Sequence, residues 1–134
     1  MYLEDRIAAL ESRVKDLEAE LGLPPFDGTA LARRTYEVIR ALASAGGIST
    51  ETILGRGRAA ETVWLRHLAI HLVWRLTGAS QPALGEAFGM DHTSIGYALA
   101  SVRERLELEP ERQKEVEDWV KRLERKRRND ENTR

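Results

Sequence analysis

Apolar positions recur at helical intervals along this 134-residue chain, and no segment shows the alternation of a strand. The first stretch is the most regular. Leu3, Ile7, Leu10, Val14, Leu17 and Leu21 are spaced 4, 3, 4, 3 and 4 apart, which is the heptad of a coiled coil. Ile7, Val14 and Leu21 take position a, and Leu3, Leu10 and Leu17 take position d. β-Branched residues at a with Leu at d favour two parallel strands. The flanking charges agree. Arg6 and Arg13 at g meet Glu11 and Glu18 at e of a second copy when the strands are parallel, whereas an antiparallel pair sets like against like. Residues 1–21 are therefore expected to form a parallel homodimer helix. The pattern also permits a single amphipathic helix packed on its own domain.

Two Gly and two Pro in "GLPPFDG" end this helix and predict a linker over residues 22–29. Residues 30–128 are expected to fold as one all-α domain, with a disordered tail at 129–134. Leu31, Val38, Ile39 and Leu42 line a first helix stopped by Gly46-Gly47. A short helical turn and a loop carrying Arg56 and Arg58 follow. A long helix is expected from about Glu61 to Thr77. Its face of Leu65, Leu68, Ala69, Leu72 and Leu76 is broadened by Val63, Trp64, Val73 and Trp74, so it should be the central post. After Gly78, Ser80 and Pro82 open a short helix that buries Ala83, Leu84, Ala87 and Phe88. Gly89-Met90 is a turn, and Asp91 caps a helix that buries Ile95, Ala98, Leu99, Val102 and Leu106. Two helices, a tight turn and a Gly85 where they must approach closely make a helix-turn-helix. A last helix over about 111–128 buries Val116, Trp119, Val120 and Leu123.

Charge sharpens this picture. The formal net charge is −1, yet residues 1–29 carry −4 and residues 30–106 carry +3, with every base of the second stretch an Arg. A basic patch matters only where the arginines share a face. The absence of Cys excludes disulfides and thiolate metal sites and suits a reducing compartment. No signal peptide or span of roughly 20 apolar residues is present, so a cytoplasmic, nucleoid-associated protein is expected, with no membrane partner.

The chemistry concentrates in "DHTS", Asp91 to Ser94. The buried stripe of that helix fixes its phase and points Thr93, Tyr97, Ala100, Ser101 and Glu104 away from the core. This end of a recognition helix enters the major groove. Asp accepts from a cytosine amino group, His donates to or accepts from a purine edge, and Thr offers a hydroxyl and a methyl. The helix amides and Ser94 suit a phosphate. The competing reading is a well-capped helix with a solvated first turn. His67 and His71, four apart, have a spacing that holds zinc. No Glu of a His-Glu-x-x-His motif lies between them, so core histidines are expected, with no metal and no cofactor. His92 has no nucleophile to serve, and no enzyme activity is expected.

"LTGASQPALGEAFGMDHTSIGYALASV" resembles the C-terminal DNA-binding domain of the bacterial replication initiator DnaA family. The matching residues are Leu76-Thr77-Gly78, Ser80, Pro82, Leu84-Gly85, Phe88-Gly89, Asp91-His92-Thr93-Ser94, Ile95 and Ala98, and the likeness covers some 95 residues. The resemblance implies double-stranded DNA as partner. It implies base reading by Asp91, His92 and Thr93 in the major groove and by Arg66 in the minor groove. Backbone or supporting contacts are expected from Arg56, Arg58, Ser80, Gln81, Ser94, Tyr97 and Arg103. The implied fold is a DnaA C-terminal, Trp-repressor-like helix-turn-helix. Met90 stands where the family keeps a Gly-Arg pair, Tyr97 where it keeps His, and Ala100 and Ser101 where it keeps bases. Fewer phosphate contacts weaken binding and flatten its salt dependence. The ATPase motif Gly-x-x-x-x-Gly-Lys-Ser/Thr of a full initiator is missing, so no nucleotide is expected. The expected role is a dimeric regulator of transcription or replication initiation, dimerisation replacing ATP-dependent assembly. The alternative is a protein-interaction adaptor with this fold, docking through its coil.

Overall fold

The computed structural model describes the backbone of residues 28–132 and the side chains of residues 30–128. The heptad residues 3–21 lie outside the described residues. Six helices follow in order: α1 (Gly28–Gly46), α2 (Thr50–Leu54), α3 (Ala60–Thr77), α4 (Gln81–Phe88), α5 (His92–Leu108) and α6 (Pro110–Asn132). No strand occurs among the described residues, so the all-α expectation holds.

The helix ends follow from local chemistry. Gly47, Gly78 and Gly89 sit at φ of 66°, 67° and 67°, the left-handed region that a side chain resists. Ser49, Ser80 and Asp91 are N-caps whose side-chain oxygens accept from backbone amides of the first turns of α2, α4 and α5. Between α5 and α6 only Glu109 intervenes, and Pro110 opens α6 where a missing N–H costs nothing. Glu109 ties this joint by accepting from Arg105 at 3.1 Å and pairing with Arg112 at 3.6 Å. Both guanidiniums lie over the Trp64 ring, 5.4 and 4.6 Å from its centroid.

α3 is the central post. It packs against α2, α4, α5 and α6 and buries Trp64, Leu68, Ala69, Ile70, Leu72 and Val73. Leu84 and Phe88 of α4, and Ile95, Ala98 and Val102 of α5, join it from one side. From α6 come Val116, Val120 and Leu123, and from α1 Val38, Ile39 and Leu42. Arg34 of α1 reaches across to the Leu123 carbonyl at 3.1 Å, and its charge is met by Glu37 at 3.0 Å.

Two boundaries differ from the sequence expectation. α1 begins at Gly28, inside the stretch expected as a linker. α6 continues through Asn132, so residues 129–132 are helical rather than part of a disordered tail. Nothing from Glu124 to Asn132 is Gly or Pro, and charged residues without an apolar stripe still propagate a helix already nucleated. Trp74, expected to broaden the buried face of α3, is 38% exposed.

Candidate nucleic-acid interface

The α4–α5 unit is built around a backbone contact. A Cβ at Gly85 would lie 2.6 Å from the Met90 carbonyl oxygen, so only Gly lets the turn close here. The Met90 amide donates back to the Gly85 carbonyl at 2.9 Å. The turn is thereby fixed on both sides, and Asp91 is delivered to the start of α5.

Asp91 and Ser94 make the helix cap. The Asp91 Oδ1 accepts from the Ser94 amide at 2.8 Å. That hydrogen bond, with further ones from the Ser94 hydroxyl and the Thr93 amide, holds the Asp91 carboxyl below its ordinary value although the group is open to water. His92 and Thr93 differ. Both are exposed, and neither side chain hydrogen-bonds within the described residues. At the front of α5 the structure therefore sorts four adjacent polar residues into two that make the cap and two that face outward.

Further along α5, Tyr97 is 70% exposed and stands edge-on to His67 of α3, with ring centroids 6.0 Å apart and an interplanar angle of 81°. Burial, and then the neighbouring Arg66, lower the His67 pKa from its ordinary value. Gln81 lies across α5 at Gly96, where a Cβ would come within 3.1 Å of the Gln81 Oε1. Ser80, Gln81 and Arg103 are brought together with Gly96 and Ala100 around one open depression of about 490 Å³. Arg58 lines a second depression of about 240 Å³ with His67, Ser101 and Arg105, so its loop abuts the flank of α5. Arg56 is exposed in the same loop and lines neither depression. Neither Arg56 nor Arg58 makes an ion pair among the described residues.

Arg66, expected to read the minor groove, makes three contacts within the domain. Its Nε donates to the Ile53 carbonyl at 2.6 Å, one Nη to Gly57 at 3.2 Å, and the other to Thr52 at 3.5 Å. The guanidinium stitches the end of α2 and the following loop onto α3. His67 is the residue that sequence reasoning passed over as part of this surface. It was expected to be a core histidine and is half-buried, edge-on to Tyr97. Among the described residues no group of three or more His, Asp or Glu is placed to hold a metal, and no helix is long and apolar enough to cross a membrane.

A family model described as the bacterial dnaA protein helix-turn-helix matches residues 35–102, half of the chain, spanning most of α1 through the greater part of α5. The chain belongs to the bacterial DnaA helix-turn-helix family. Among curated proteins it is 44% identical over 76 residues to the chromosomal replication initiator protein DnaA of Thermus thermophilus. It is 43% identical over 70 residues to that of Corynebacterium jeikeium, and 37% identical over 76 residues to that of Lactococcus lactis. These matches cover 52–56% of this chain and 12–17% of the relatives. The chain thus corresponds to a small part of each DnaA protein, the part that carries the helix-turn-helix.

Proposed function

We propose that this DnaA-family domain binds double-stranded DNA in a sequence-dependent way, with the front of α5 in the major groove. The observation that carries this reading is the division of labour at that front. His92 and Thr93 are exposed with unspent polar atoms on a helix whose start is pinned by Asp91 and Ser94. The backbone that carries them is fixed before binding, and their polar atoms are free to meet base edges. Asp91 keeps a second carboxylate oxygen that suits a cytosine amino group. Ser80, Gln81, Tyr97 and Arg103 flank the same face and suit phosphate contacts, as do Arg56 and Arg58 from the loop.

For Arg66, the carbonyl contacts support a role through the loop it holds. On this reading minor-groove access falls to the loop that Arg66 positions. The heptad of residues 3–21 supports a parallel homodimer, which sets two weak modules on one duplex and gains avidity without new base contacts. The relatives' name, chromosomal replication initiator protein, supports a role at or near replication initiation. A transcriptional role uses the same contacts. The corresponding location is the nucleoid.

The test is selection of bound duplexes from a random library with the full chain, repeated with His92→Ala and Thr93→Ala. Paired half-sites are expected, and each substitution should cost about tenfold in affinity or more at unchanged stability. A single short site would remove the dimer from the mechanism. No enriched motif even at low salt, or no effect of either substitution, would overturn base reading and leave the adaptor.

A further inference from the structure

The last buried residues of α6 are Val120 and Leu123. The Leu123 carbonyl is held by Arg34 of α1 at 3.1 Å, and from there the helix runs on in regular turns to Asn132. Among the described residues none beyond Leu123 is buried, so these turns add nothing to the core. Their charge is unlike that of the rest of the chain. Residues 121–128 hold six bases and one acid, in a chain whose net charge is −1.

Lys121, Arg125 and Arg128 are spaced 4 and 3 apart, so at about 100° per residue they form one line along the helix. All three are exposed, and none makes an ion pair among the described residues. Glu117, four residues before Lys121, is engaged by Arg75 at 3.0 Å. Arg125 has Lys121 and Arg122 one turn before it and Arg128 one turn after. Like charges at these spacings destabilise a helix. Two ordinary accounts of a basic helix end fail here. Bases that answer the helix dipole belong in the last turn, and the last turn of α6 has none. It carries Asp130 and Glu131 instead. A helix that lies on a membrane buries an apolar face, and no apolar residue follows Leu123.

A row of anions does suit this line. At roughly 1.5 Å per residue it is about 10 Å long, a length that covers about three phosphates of one DNA strand. The neighbouring α1, joined to this stretch at Leu123, supplies none of the contacts proposed for the reading edge. The line is thus a surface of its own.

We propose that the basic end of α6 grips the phosphate backbone of duplex DNA through Lys121, Arg125 and Arg128, without regard to sequence. The contact relieves the repulsion around Arg125 and adds affinity equally at every site. It shares only the duplex with the reading proposed above, and uses neither His92 nor Thr93.

The experiment measures the affinity of the full chain for a duplex of unrelated sequence across a salt series. In the triple variant Lys121→Gln/Arg125→Gln/Arg128→Gln, the slope of log affinity against log salt should become shallower by about 2.7, three phosphates' worth. Gln is close to Lys and Arg in helix propensity, so urea denaturation should be unchanged. Arg125→Lys/Arg128→Lys keeps the charge and should keep the slope. Arg33→Gln/Arg40→Gln removes two exposed charges of α1 and should leave the slope as it is. The proposal is overturned if the triple variant keeps the parent slope. It is equally overturned if the α1 variant lowers the slope as much per charge removed, since net charge alone would then account for the effect. A triple variant that loses binding to phosphatidylglycerol vesicles while keeping its duplex slope would assign the line to a lipid surface. An enriched motif in the random-library selection, with an unchanged slope in the triple variant, would sink this inference alone. A shallower slope with no enriched motif would sink base reading alone.

Discussion

The α4–α5 unit and the loop between α2 and α3 both present polar groups outward, and they are held in opposite ways. In the first, backbone meets backbone. Met90 returns to Gly85, and Asp91 closes the helix start on the Ser94 amide. In the second, the end of α2 and the loop after it are joined to α3 by one long side chain, Arg66, which donates to the carbonyls of Thr52, Ile53 and Gly57. The first arrangement fails only if the turn itself is altered. The second fails with one substitution outside the loop. A domain that reads a duplex gains from both, since base edges demand a fixed head whereas a phosphate track tolerates movement.

The comparison breaks most forcefully at Gly85. Gly85→Val drives a branched side chain into the Met90 carbonyl and should cost about 3–4 kcal/mol in urea denaturation. A neutral result would mean that the turn is not the fixed element described. Acid tests the scaffold common to both regions. The unfolded chain protonates His71 below its ordinary value of 6.5, whereas the folded ring holds off to about 4. Stability is therefore fully present above the ordinary value, falls as pH drops between the two, and levels off below the lower one. The total loss should be about 3 kcal/mol, and His71→Phe should flatten the profile. Arg66→Met keeps the stem and removes the carbonyl contacts. It should lower stability by about 1–2 kcal/mol and weaken duplex binding as the loop loosens. If it weakened binding with no loss of stability, direct contact would be the better account. The smallest effect is expected at Arg58→Ala. Stability should change by less than about 0.5 kcal/mol, while the slope of log affinity against log salt should fall by roughly 0.9, one phosphate's worth.

The parts of the fold that were legible in the sequence were those written in local signals. Ser80 with Pro82, Gly78, Gly89 and Asp91 mark the ends of α3, α4 and α5, because caps and left-handed glycines act within one turn of their own position. The close approach at Gly85 was legible because a Gly in a short helix needs a reason. What was hidden depends on distant partners. The contacts of Arg66 were hidden because its carbonyl partners lie 9, 13 and 14 residues back, in a segment with no periodicity. Arg34 reads as a surface charge until α6 brings it the Leu123 carbonyl, 89 residues away. The extension of α6 to Asn132 was missed because a helix made of charges has no apolar stripe to count. Ile70 was undervalued for a related reason. A post surrounded by other helices buries more than one face, and a single stripe no longer marks the inside.

The cap at Asp91 also governs how this domain tolerates a change in length. Adding a residue between Thr93 and Ile95 would rotate everything beyond it by about 100° and carry His92 and Thr93 out of alignment with the buried Ile95, Ala98 and Val102. Adding one before Asp91 would not. Helical phase is counted from the cap, so an extra turn residue moves the origin of α5 while leaving the angle between its inner and outer faces untouched. The helix carries its own zero point. A family that varies the turn while keeping the Asp can therefore shift where its reading edge stands on a duplex without changing which side chains form that edge.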